Sequence, residues 1–327
     1  MTDTIDAVAW EVAMHIAVTG SRGLIGSALV SSLLADGHRV TRMVRGAAGP
    51  GTIAWDPMRG VEDLTRLEAL DAVVHLAGES IAAGRWTAQR KAEIRRSRVG
   101  GTARLCESLA MLPKPPGVLV SASAVGFYGD RGEQILDEGS LPGDDFLARV
   151  CREWEAASEI AAQVGIRVVL MRFGVVLSPA GGALKAMLVP FKLGFGGRVG
   201  TGRQLVSWIA LDDAVGAIQH ALCTESVVGP VNAVAPAPVT NAEFARILAR
   251  VLRRPALLPL PASAARLMFG EVADVLLLAS QRVSPTRLLA TGYRFRHRDL
   301  EGALRHLLGR EDPGRAPAAH GGSRVWQ

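Results

Sequence analysis

Seven residues near the start of the chain, Gly20-Ser21-Arg22-Gly23-Leu24-Ile25-Gly26, have the types and spacing of a phosphate cradle. The first glycine of such a run permits a tight turn, the second lets the backbone approach a pyrophosphate, and the third lets a helix pack on a sheet. The N–H groups and positive dipole end of the helix that follows then face the phosphates. The context is the one this motif requires, because the apolar run His15–Thr19 precedes it and a helical pattern of Leu24, Ala28, Leu29 and Leu33 follows. A dinucleotide is the ligand this arrangement suits. The next strand decides which one. An acidic residue at its end would hold a ribose 2′-hydroxyl; here it ends Arg42-Met43-Val44-Arg45. With Arg22 in the turn close by, Arg42 and Arg45 would meet a 2′-phosphate through charge-assisted bonds. The expected cofactor is NADP(H), with Asp56 at the end of the third strand as a partner for the adenine amino group.

The elements that must position these groups alternate strand and helix. Strands are expected at His15–Thr19, Arg39–Val44, Thr52–Trp55, Ala72–Ala77, Val118–Ala122 and Arg167–Met171, with helices at Leu24–Asp36, Thr87–Met111 and Phe146–Val164 between them. Strands apolar on both faces and spaced by helices predict a doubly wound α/β parallel sheet. After Arg172 the texture changes to a glycine-punctuated, loop-rich stretch (Gly181-Gly182, Gly194, Gly196-Gly197, Gly200, Gly202). Further helices are expected near Asp212–Cys223, Asn241–Leu252, Ala262–Ala279 and Asp299–Leu308, and a strand near Val231–Val234. The domain reading is an extension over 1–13, a nucleotide-binding domain over 14–175 to which 205–235 returns, a substrate lobe from 176–204 and 236–308, and a flexible tail over 309–327. Met14, directly before the first strand, is an alternative start.

Composition narrows the function classes. The chain has 327 residues, 49% of them hydrophobic and 21% charged, which is ample for a core. No apolar run is long enough to cross a bilayer as a helix, and the acidic N-terminus (Asp3, Asp6, Glu11) has the wrong charge for a targeting peptide. Cys106, Cys151 and Cys223 show no paired spacing, so neither disulfides nor a metal site is expected. A cytoplasmic protein without membrane attachment is the resulting expectation. The net charge of +6 is almost all arginine, densest over Arg90–Arg98. Only 5% of residues are aromatic, so no stacking platform for bases accompanies the charge, and a small anionic ligand is favoured over nucleic acid.

The motifs also carry a resemblance. Leu76-Ala77-Gly78-Glu79, Gly84-Arg85-Trp86, the helix Arg90-Lys91…Ser97-Arg98-Val99…Gly101-Thr102, and Ser121-Ala122-Ser123-Ala124-Val125-Gly126-Phe127-Tyr128-Gly129-Asp130 are similar to the extended short-chain dehydrogenase/reductases. Within them the chain resembles the atypical subgroup labelled epimerase family or nucleotide-sugar epimerase-like proteins. The later stretches Gly143–Leu147, Ser207-Trp208-Ile209 and Gln281-Arg282-Val283 fit that subgroup and its small C-terminal domain. The resemblance implies a Rossmann-like domain with a smaller C-terminal substrate lobe, a small-molecule substrate and oxidoreductase or epimerase-like chemistry, in a chain that would suit a homodimer. It places Leu76, Ala77, Gly78 and Ser121 beside the cofactor and makes Ser123 the match for the superfamily's substrate-binding serine.

The same comparison exposes a gap. The superfamily's chemistry uses a Tyr and a Lys four residues apart, one helical face, to trade a proton with the substrate oxygen. Tyr128 is followed four residues later by Gly132, and Tyr293 by His297; where the dyad would fall stand Phe146 and Val150. The superfamily's Asn before Val-x-Gly-Thr is Arg98 here, and the subgroup's Ser-Trp-Ile-His reads Ser207-Trp208-Ile209-Ala210. Proton transfer would then fall to Ser123 with Tyr128, or to Glu79, which could equally bind ribose. Arg85 and Arg98, with Lys185, Gln204 and Trp208 from the lobe, are the candidate substrate contacts. The alternative is a non-catalytic NADP(H)-binding redox sensor or scaffold.

Overall fold

β-Branched and apolar runs build one sheet in the computed structural model, which describes residues 12–310. Its strands are β1 (His15–Thr19), β2 (Arg39–Val44), β3 (Thr52–Asp56), β4 (Gly60–Val61), β5 (Ala72–His75), β6 (Val118–Ala124), β7 (Arg167–Phe173) and β8 (Gly229–Ala233). They lie in the order β8-β7-β6-β5-β1-β2-β3-β4. Neighbours are parallel except the short β4, which turns back antiparallel on β3. The chain winds outward from β1 to β4, then crosses to the other flank of β1 and winds outward again. The order therefore reverses between β1 and β5, and that switch opens a crevice at the carboxyl ends of the strands. This is the doubly wound, Rossmann-like fold expected from the sequence.

The helices are α1 (Leu24–Ala35), α2 (Ala88–Arg95), α3 (Gly101–Ala110), α4 (Phe146–Ala156), α5 (Glu159–Gln163), α6 (Gly182–Lys192), α7 (Leu211–Cys223), α8 (Asn241–Leu252), α9 (Ala262–Phe269), α10 (Thr286–Ala290) and α11 (Leu300–Leu307). Period-two alternation sends neighbouring strand residues to opposite faces. Ile16 and Val18 of β1 pack with α1 and α7, whereas Ala17 packs with α3 and α5 on the other side. Both faces are covered, which is why the strands read as continuous apolar runs. A second core gathers α6, α8 and α11 around Phe244 and Trp208.

The helix expected over Phe146–Val164 is two, α4 and α5, and three further elements differ from expectation. The single helix expected over Thr87–Met111 contains a π-helical stretch at Arg96–Gly100, which joins α2 to α3. The stretch expected to be loop contains α6, despite Gly181-Gly182 at its start and Pro190 within it. The helix expected over Ala262–Ala279 breaks at Gly270, whose φ of +63° is disfavoured for other residues. Residues 1–11 of the expected extension and 311–327 of the expected tail lie outside the described residues.

Candidate functional site

The crevice begins at the turn between β1 and α1. Gly20 adopts φ +63°, and a Cβ there would sit 2.7 Å from the carbonyl carbon and oxygen of Leu76. A Cβ on Gly26 would lie 2.2 Å from the Gly20 oxygen. Both positions therefore require glycine, one against β5 and one against the turn itself. Gly23 caps α1 without a side-chain acceptor, so the first-turn N–H groups of Leu24 and Ile25 have no capping side chain. Ser21 is buried, and Arg42 Nη1 donates to its carbonyl at 3.3 Å, bracing the turn. Arg22 is exposed. Arg45 is also exposed, with its Nη1 3.6 Å from Glu79 Oε1. Asp56 also serves its own turn, since its Oδ1 accepts the N–H of Met58 at 2.6 Å.

At the end of β5 a buried chain of hydrogen bonds sets the backbone. The Thr19 hydroxyl accepts the N–H groups of Leu76 and Ala77 and lies 2.7 Å from His75 Nδ1. With both lone pairs engaged, that hydroxyl donates its proton to Nδ1. His75 Nε2 therefore carries the ring proton and donates to Thr102 Oγ1 at 3.0 Å, an oxygen that also accepts from Trp154 Nε1. Burial lowers the His75 pKa to about 4, so the ring stays neutral and structural. Ser121, paired with His75 across β5 and β6, is buried with no partner for its hydroxyl. An orphaned polar group beside a crevice is a place for a bound ligand to satisfy.

Arg98 does not reach into the crevice as a free cation. Its guanidinium lies against Gly78, donates to the Glu79 carbonyl at 2.9 Å and sits 5.2 Å from the Trp154 ring. Burial pushes its pKa down. The half-exposed Glu79 carboxylate stands between Arg45 and Arg90, the latter 3.5 Å away.

The reaction end, at β6 and β7, is built differently. Ser123 Oγ donates to Glu155 Oε1 at 2.6 Å. Glu155 also receives Arg172 Nε and Nη2, at 2.8 and 2.7 Å. Arg172 Nη1 donates to the Tyr128 hydroxyl, which in turn lies 2.7 Å from Asn232 Oδ1 and 2.9 Å from the Asp137 carbonyl. Burial works against the charge on Arg172, but its bonds to Glu155 prevail and hold its pKa above the ordinary value.

Tyr128, expected at the pocket, is fully buried instead. Burial raises its phenol pKa, and its oxygen is committed on three sides. Glu155 and Arg172 are the residues that sequence reasoning misses. A signal exists: Arg172 is a charge at the end of the apolar strand Val168-Val169-Leu170-Met171, and a buried charge demands a buried partner. At the dyad positions, Phe146 meets the Trp86 ring edge-on at 5.2 Å, and Val150 packs with Trp86, Ile94 and Val272. The Cys151 thiol on the same helix is buried, and its pKa is pushed up to about 12.

Three of the expected substrate contacts have polar atoms engaged within the protein. Gln204 is buried and its Nε2 donates to the carbonyls of Val199 and Leu277. Trp208 is fully buried, with Nε1 donating to the Ala237 carbonyl. Arg85 donates to the carbonyls of Leu267 and Met268 at the end of α9. Lys185 is exposed on α6. Lys91 pairs with Glu271, so it joins Arg85 in tying the segment after β5 to the C-terminal region.

Comparison with known proteins agrees with this architecture. Residues 16–233 match the NAD dependent epimerase/dehydratase family, and residues 260–307 match a domain of unknown function, DUF1731. An epimerase family protein of Mycobacterium bovis is 46% identical over 290 residues, covering 88% of this chain and 96% of that protein. The crystal structure of human epimerase family protein SDR39U1 with NADPH superimposes with a TM-score of 0.84 at 38% identity, over 90% of this chain and 99% of that one. A nucleoside-diphosphate sugar epimerase structure from Corynebacterium glutamicum gives 0.78 at 39% identity, over 93% of this chain and 60% of that one.

Proposed function

The chain belongs to the NAD dependent epimerase/dehydratase family, and from that premise we propose that it binds NADP(H) and uses it on a small molecule as an oxidoreductase or epimerase-like enzyme. The observation that carries the cofactor reading is the β1–α1 turn, where Gly20 and Gly26 have no room for a Cβ and α1 has no side-chain cap. The residues present fit the group. The Gly20–Gly26 backbone would hold the pyrophosphate, and Arg22, Arg42 and Arg45 the 2′-phosphate, at the end of a strand that itself has no carboxylate, with the Glu79 carboxylate from the β5 end as Arg45's present partner. Asp56 would take the adenine. Leu76, Ala77 and Gly78 would offer backbone, and Ser121 its unpaired hydroxyl. The NADPH bound by human SDR39U1 supports the choice of nucleotide.

When bound, the nicotinamide supplies a hydride donor or acceptor. The chain's own contribution is Ser123. Its proton points at Glu155, so its lone pairs are available to accept from a substrate hydroxyl, and Glu155 is placed to take charge of the proton beyond it. Tyr128 braces Arg172 and through it Glu155, a positioning role. Glu79 remains a ribose ligand or a second base.

A second reading has its own observation. With Phe146 and Val150 packed among apolar side chains, neither dyad position carries a group that can move a proton, which suits a non-catalytic NADP(H) sensor or scaffold. Titration with NADPH and NADH, followed by nicotinamide fluorescence for wild type and Arg45→Ala, tests the cofactor. Preferential NADPH binding that weakens in the variant is expected; binding of neither nucleotide would overturn both readings. A carbonyl and sugar-nucleotide screen with wild type and Ser123→Ala then separates them. Turnover lost in the variant supports the enzyme, and tight NADPH binding with no oxidation of it supports the sensor.

A further inference from the structure

Three ligand-type side chains meet away from the residues assigned to the crevice. Asp212 lies in the first turn of α7, His297 in the loop after Phe295, and His306 on α11. Their nearest ligand atoms all lie within 4.8 Å of one another. Both imidazoles present Nε2 to the same carboxylate oxygen, Asp212 Oδ2, at 2.9 Å from His306 and 3.8 Å from His297. The two rings are 4.6 Å apart and tilted by 33°.

We propose that Asp212, His297 and His306 form a binding site for a divalent transition metal of the zinc class. Two imidazole nitrogens and one carboxylate oxygen are a ligand set such ions favour. With metal–ligand bonds of about 2.0–2.1 Å, tetrahedral ligands stand about 3.3 Å apart. The two observed separations from Asp212 Oδ2 fall on either side of that value, and all three ligand atoms lie within 4.8 Å of one another, so closing on an ion takes side-chain rotation rather than movement of the backbone. A second layer holds the site in place. The neighbouring Asp213 is fully buried and its carboxylate accepts the N–H groups of Arg296 and His297, at 2.8 and 2.9 Å. It thereby fixes the backbone of the loop that presents His297. The site is half-exposed, which leaves the fourth position to water.

Binding would displace the Nε2 proton of His306. His306 and Asp212 now share a hydrogen bond, and for Nε2 of each ring to coordinate, each imidazole must be neutral with its proton on Nδ1. The ion would replace that hydrogen bond and pin α11, which packs on α8, to α7, which covers the main sheet. It is a clip between the C-terminal region and the sheet, and it does not depend on the reading of the crevice.

The test is cobalt(II) titration of the tag-free full chain in a Cys223→Ser background, since that exposed thiol is another soft ligand. Wild-type ligands should give the intense visible bands of a four- or five-coordinate ion, zinc should displace them, and zinc should raise the melting temperature. Asp212→Asn and His306→Ala, both at partly exposed positions, should abolish the bands and the thermal shift while keeping the metal-free melting temperature near that of the background. An aquo-ion spectrum with the parent, or bands that survive in both variants, would overturn the proposal.

Discussion

The two flanks of the crevice solve opposite problems. On the β1–β2 side the chain strips itself down: glycine where a Cβ would collide, an uncapped helix start, and arginines left at the surface. On the β6–β7 side nearly every polar group is already spoken for, as Ser123, Glu155, Arg172, Tyr128 and Asn232 form one continuous buried network. The first flank is shaped to be completed from outside. The second is completed from within; there, among the described residues, the Ser121 hydroxyl is buried without a partner, and Ser123, which donates to Glu155, keeps its lone pairs. A surface that awaits a ligand and a network that satisfies itself sit on the two sides of β5 in one sheet.

The sharpest way to break this contrast is to remove the centre of the closed network. Glu155→Ala leaves the Arg172 guanidinium buried without its carboxylate, and a loss of about 3–5 kcal/mol in unfolding free energy is expected. A urea midpoint close to wild type would mean that the network is not what holds this flank together. Titration of His75 comes next. The folded protein keeps that imidazole neutral down to about pH 4, whereas an unfolded chain protonates it near the ordinary value of 6.5. Between those values the unfolded state binds more protons, so this group's contribution makes stability fall as pH drops from 6.5 and reach a loss of about 3 kcal/mol by pH 4. Above pH 6.5 it is flat. Chemical denaturation at pH 7, 6 and 5 should show that slope in wild type and a shallower one in His75→Gln.

On the open flank, Gly26→Ala drives a methyl into the Gly20 carbonyl. It should destabilise by about 1–3 kcal/mol and, because it deforms the cradle, cost more in NADPH affinity than in stability. Tyr128→Phe makes the reverse comparison. It removes a hydroxyl shared by Arg172, Asn232 and Asp137, and about 1–3 kcal/mol of stability should go with it while NADPH affinity stays put. If instead stability is unchanged and turnover collapses, Tyr128 belongs with the chemistry after all.

The same contrast explains what could be read from the sequence. The open flank is local: Gly20 to Gly26 and Arg42 to Arg45 lie in short runs whose spacing states their geometry, and the alternation of apolar strands and helices points to the doubly wound sheet. The closed flank is assembled from afar. Tyr128 meets Asn232 across 104 positions of chain, and Gln204 meets Leu277 across 73, so neither pairing leaves a local pattern. Tyr128, Gln204 and Trp208 therefore look like pocket groups in sequence when they are buried anchors. α6 is hidden for a different reason, because glycines at its start and a proline within it mask a helix that packing on α8 sustains. Asp212, His297 and His306 illustrate the same distance effect, since no metal-ligand spacing joins them in sequence.

The smallest expected effect is the most selective. Arg45 is exposed, and its close carboxylate, Glu79, sits at 3.6 Å, so Arg45→Ala should leave the melting temperature almost unchanged. If the guanidinium meets a 2′-phosphate, NADPH affinity should drop about tenfold, equivalent to about 1.4 kcal/mol, because one charge-assisted contact is lost. NADH lacks that phosphate, so its affinity should not follow. Equal weakening of both nucleotides would mean that Arg45 meets the pyrophosphate or acts through Glu79, and the arginines at the end of β2 would lose their role in choosing the cofactor. A change in NADPH alone would tie that choice to side chains on an exposed rim, where substitution alters specificity while the glycine cradle beneath stays intact.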